Sequence, residues 1–139
     1  MLYDAVARPG TVSPDELRAA YEDEIYSAVD TAGSDAAAAA AGVSEEVLSN
    51  GVLELTLEQA ASVLALEDGN PDADAIAWEF RDHLLMGMTS GILDVDTLAA
   101  EVDLDLSGQE IQQAIEGRSA ATLDELAAIH HVIAVRNEQ

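Results

Sequence analysis

"LDLSGQEIQQAIEGRSAATLDELAAI", residues 104–129, decides the fold. Ser107 is followed three residues later by Glu110, and Thr122 by Glu125. That is the capping-box pattern: a hydroxyl accepts from the N–H three residues on, and the residue there reaches back to the cap's own N–H. Each box starts a helix, and Gly117 falls where the first must stop, because glycine takes a left-handed backbone without a Cβ clash. The stretch therefore predicts helices over 108–116 and 123–136.

The same pattern recurs upstream at Ser13/Glu16, with Pro14 at the favoured first helical position, and at Thr56/Gln59. No segment alternates with the period of a strand. The expected fold is all-α, with further helices near 14–32, 35–41, 45–50, 57–67, 72–92 and 95–102, and Asn50-Gly51 and Gly69 at C-terminal cap positions. The order also repeats. A long helix leads to an Asp-started helix (Asp35, Asp96), a Ser-capped short helix (Ser44, Ser107) and a Thr-capped helix (Thr56, Thr122), with a period of about 60 to 66 residues. A chain of 139 residues suffices for one core. The expectation is a single compact helical domain over 1–139, built as two units (about 13–68 and 72–136) around a central apolar helix. That helix holds Ile76, Trp78, Phe80, Leu84, Leu85, Met86 and Met88, apolar on nearly every face beyond His83.

Composition narrows the habitat. Twenty-eight Asp and Glu face five basic residues, all arginine (Arg8, Arg18, Arg81, Arg118, Arg136), for a net charge of −23. Apolar residues make up 49%, so the acidity belongs to a folded surface and not to a disordered chain. An acidic shell without lysine resembles proteins that work in molar salt, where self-repulsion is screened. With no cysteine there is no disulfide framework, thiol chemistry or thiolate-held metal. The opening "MLYDAVARPG" lacks a signal pattern, and the longest near-apolar run, "HLLMGMTSGIL", is too short to span a bilayer. The reading is a cytoplasmic protein without a membrane partner.

"AAAAAGVS" (37–44) resembles the first helix and turn of Cro/repressor-type helix-turn-helix units: small alanines allow a close crossing, Gly42 the turn, and Ser44 caps the next helix. The second copy, from Ser107 to Thr122, resembles the family's spacing as well. Each departs from the pattern, by three residues missing between Ser44 and Thr56 and about two added before Ser107. The resemblance implies a DNA reader, which needs base-edge groups and cations on the second helix. "SEEVLSNG" in the first copy offers neither. The second offers Gln109, Gln112 and Gln113, which can pair with adenine edges, and Arg118 and Arg136 for phosphates, against the repulsion of Glu110 and Glu116.

Other chemistry is incomplete. "DLDLSG" (103–108) begins like a calcium loop but has Ala114 at the twelfth position, and the loop from Asp68 to Glu79 has Ala73 at the sixth. His130 and His131 diverge on a helix, and Glu79 and His83 form at most half a metal site. No nucleophile elbow or phosphate-cradling loop occurs, so neither an enzyme, a cofactor nor a metal site is expected. "HLLMGMT" (83–89), "LDVDTLA" (93–99), "EIQQ" (110–113) and "IEGR" (115–118) resemble a small family of unknown function from haloarchaea. That likeness implies a haloarchaeal protein with no assigned activity. The expected role is a non-catalytic module acting through protein contacts, for which a homodimer is one arrangement. The alternative is a transcriptional regulator reading DNA through helix 108–116.

Overall fold

Every one of the four capping boxes closes. In the computed structural model, which describes all 139 residues, Ser13, Thr56, Ser107 and Thr122 each accept from the backbone three residues on and are answered by Glu16, Gln59, Glu110 and Glu125. The protein is all-α. Helix α1 spans Pro14–Ala32, α2 Ser34–Ala41, α3 Glu45–Asn50, α4 Leu57–Leu64, α5 Ala73–Ser90, α6 Val95–Glu101, α7 Gly108–Glu116 and α8 Leu123–Asn137. Short 3-10 turns cover Pro9–Thr11 and Val52–Glu54. Helix α4 stops at Leu64, earlier than its apolar pattern suggests, and Gly69 lies in the following loop at φ 90°. The loop ends at Asp72, whose carboxylate accepts from Ala75 N–H and starts α5.

The helices enclose one continuous core. Helix α1 lies on α2, α4 and α8, α2 on α4, α5 on α4, α8 and α7, and α6 on α7 and α8. The two Thr-capped helices meet at their starts, where Thr56 and Thr122 form an isolated antiparallel bridge and Leu123 N–H donates to the Leu55 carbonyl at 2.9 Å. Helix α8 buries more residues than any other. Leu123, Leu126, Ala127, Ala128, Ile129, His130, Ile133 and Ala134 are all buried.

The expectation that α5 is buried on nearly every face is corrected. It buries Ile76, Ala77, Phe80 and Leu84, while Trp78, Leu85 and Met86 are exposed. The reason is coverage: α4, α8 and α7 pack on α5 from the side of Phe80 and Leu84 and leave Trp78, Leu85 and Met86 open. No helix is long and apolar enough to cross a membrane.

Candidate functional site

The glutamines singled out by the sequence lie on α7, which turns Ile111, Ala114 and Ile115 into the core. Gln109 and Gln112 are exposed, and Gln113 is half-buried. Gln112 is itself engaged, its amide donating to Glu116 at 3.3 Å. Arg118 donates to the other Glu116 oxygen at 2.5 Å. These two partners hold the Glu116 carboxyl below its usual range, the Gln112 hydrogen bond being the larger cause.

Arg136 is held by a different partner from Arg118. Its Nε donates to the Gly91 carbonyl at 2.9 Å, tying the last turn of α8 to the end of α5. The remaining arginines are also occupied. Arg8 is 3.7 Å from Glu138, Arg18 meets Asp15 at 3.1 Å and Asp124 at 2.7 Å, and Arg81 pairs with Glu58. Each arginine of the chain therefore already holds a carboxylate or a backbone carbonyl. No three or more His, Asp or Glu side chains converge as a metal site.

Beside α7 lies a surface that reading the sequence missed. Trp78 is 64% exposed, Leu85 43% and Ile92 86%. Trp78 and Leu85, seven residues apart, share the outer side of α5 with Asp74 and Asp82 beside them, and Ile92, just past the end of the helix, lines a depression together with Leu85. At Leu85 this side opens into a cavity of about 290 Å³ between α5 and α7, lined by Leu85, Met88, Val95 and Ile115, with Asp94 and Glu116 among the lining groups. A shallower depression of about 450 Å³ continues from Leu85 and Met88 to Ile92 and Leu93. The Asp94 carboxyl caps α6 by accepting from Thr97 N–H at 2.8 Å, and that backbone bond holds it below its usual range. The surface thus combines apolar side chains with ionised carboxylates.

Ile92 is the sharpest feature. After α5, Ile92 N–H donates to Thr89 and Leu93 N–H to Met88, the two bonds of a Schellman cap, which places Ile92 at the left-handed position with φ 51°. The corresponding turns after α2 and α7 use Gly42 (φ 71°) and Gly117 (φ 79°). A β-branched residue there is strained by roughly 1–2 kcal/mol, and an exposed one recovers little by burial. The signal available in the sequence was the seven-residue spacing of Trp78 and Leu85 among aspartates on one side of a helix.

No curated protein and no solved structure matches the chain. Residues 17–136, nearly the whole helical body from within α1 to the last turn of α8, match one family description, and the chain belongs to that family of unknown function (DUF5791).

Proposed function

We propose that this protein is a non-catalytic interaction module whose outer α5 face and α5–α7 groove receive an apolar-faced, basic helix of another protein. The observation that carries the reading is Ile92, an isoleucine kept exposed and strained where glycine would relax the turn. Trp78, Leu85 and Ile92 supply exposed apolar anchors of the kind an amphipathic helix covers. The carboxylates of Asp74, Asp82, Asp94 and Glu116 along it favour lysine or arginine on the partner's flanks. The carboxylates of Glu110 and Glu116 on α7, the second of them already beside Arg118, weigh against the alternative of reading DNA through that helix, since they repel the phosphate backbone. The carboxylate excess is read as the surface of a haloarchaeal cytoplasmic protein.

Selection of displayed peptides on the immobilised protein tests this, at the lowest KCl concentration that keeps the helical circular dichroism of the chain. The expected winners carry apolar residues on one helical face and basic residues beside them. Binding should be lost in Ile92→Gly, whose fold should be unchanged or firmer by up to about 1 kcal/mol as the strained turn relaxes. Enrichment of a DNA motif that depends on Gln109 and Gln112 would overturn the reading. So would a peptide set indifferent to Ile92, or sedimentation as a dimer that Ile92→Gly dissociates, which would assign the face to a second copy.

A further inference from the structure

A second cavity, of about 340 Å³, lies between α5, α8 and the segment around Pro9 and shares no lining residue with the α5–α7 groove. Among its lining groups is His130, a side chain only 1% exposed whose Nε2 has no hydrogen-bond partner. The other ring nitrogen is settled. Tyr21 Oη lies 2.5 Å from His130 Nδ1, and both residues are buried. Burial, with the Glu24 carboxylate adding to it, pushes the Tyr21 hydroxyl well above its usual range, so it keeps its proton. A protonated Tyr21 donates to Nδ1, and the imidazole must then carry its own hydrogen on Nε2. The ring is further fixed by Phe80 and His83, which meet it edge-on at 5.8 Å and 5.5 Å between centroids. The wall of the cavity therefore includes a rigid N–H donor that is itself buried.

At its other end stands Glu138. One carboxylate oxygen, Oε2, accepts from Gly10 N–H at 2.9 Å, while Oε1 is buried without a hydrogen bond and has only Arg8 Nε at 3.7 Å. His130 on α8 and Glu138, which follows its last residue, are eight positions apart, about 12 Å between their backbones at helical rise. Ile133, Ala134 and Met86 line the space between them. A buried donor without a partner costs free energy unless something pairs with it, and a buried carboxylate oxygen whose one cation stands at 3.7 Å without a hydrogen bond can take a closer one. No third ligand joins the two histidines as a metal site, and a chain of charge −23 repels an anion.

We propose that this cavity is a binding site for a small amine that also carries a carbonyl-type acceptor, the acceptor taking the His130 Nε2 hydrogen and the ammonium pairing with Glu138. The site is separate from the α5–α7 groove, and either can fail without the other. The test uses the intact protein with nitrogen-15 in its histidine rings, titrated with ε-aminocaproamide while the ring nitrogens are followed by NMR. A saturable shift at His130 Nε2 is expected, weakened about tenfold or more in Glu138→Gln, since a charge-assisted bond is lost there. The amide oxygen introduced by that change can still accept from Gly10, so the variant should keep its fold, which circular dichroism checks. Caproamide, lacking the amine, should bind both forms equally and weakly. The proposal is overturned by an Nε2 found without its hydrogen, by no saturable shift up to about 10 mM probe, or by binding that Glu138→Gln leaves intact.

Discussion

The two sides of α5 are built from the same residue types and meet opposite fates. Ile76, Phe80 and Leu84 are fully or almost fully buried, whereas Trp78, Leu85 and Met86, on neighbouring positions of the same helix, face outward. On the inner side Phe80 meets Tyr21 and His130 edge-on at 6.0 and 5.8 Å, and Tyr21 Oη lies 2.5 Å from His130 Nδ1. On the outer side apolar groups alternate with aspartates, and the turn that ends the helix holds an isoleucine in a glycine's place. The difference shows that hydropathy alone does not separate a core face from an exposed one. What separates them is whether another element of the chain crosses that side.

Truncation should expose the contrast most strongly. Leu84 is 0% exposed, so Leu84→Ala removes packed methyl groups and leaves a cavity; a loss of about 2–5 kcal/mol is expected. The adjacent Leu85→Ala should change stability by no more than about 0.5 kcal/mol. Paired urea melts in molar KCl measure both, and equal costs would break the comparison.

The inner side should also respond to pH. Burial pushes the His130 imidazole down to about 3, helped by His83 and His131, from its ordinary 6.5. The unfolded chain then takes up the proton first, so this residue's contribution is complete above 6.5 and declines as pH falls toward 3. Stability at about pH 5 should be lower than at neutrality by about 2 kcal/mol from this group, with molar salt present to suppress changes in general repulsion. His130 should remain neutral by NMR over that interval. A ring that titrates near its ordinary value would place it in solvent and remove the rigid inner side.

The smallest effect belongs to the outer side. Trp78, the one tryptophan of the chain, is 64% exposed. Its fluorescence should be red-shifted and readily quenched by acrylamide in the free protein, and should shift to the blue when a selected peptide binds. Emission already blue and protected in the free monomer would put Trp78 in the core and make the two sides alike.

How far the sequence carries depends on the range of the interaction. The capping boxes at Ser13, Thr56, Ser107 and Thr122 involve partners three residues away, and they were legible because local chemistry suffices to form them. The same holds for the glycine turns after α2 and α7, and so for the all-α class. The candidate contact residues fared differently. Gln109 and Gln112 are exposed on α7 as their spacing suggests, yet Gln113 is partly covered and Arg118 is already held by Glu116.

Periodicity could not say which side of α5 is covered, because apolar residues occupy both sides and only the placement of α4, α7 and α8 breaks the tie. Nor could it say where the arginines go. Arg81 reaches Glu58 across 23 positions, and Arg136 reaches Gly91 across 45. The Tyr21–His130 pair is 109 positions apart, and burial on both sides gives it its proton arrangement. By itself the sequence determined the helices, their caps and the acidic surface, since these depend on neighbours along the chain and on composition. The exposed side of α5, the neutralised cations and the two cavities were decided only by the tertiary structure, because each is set by what lies across the fold.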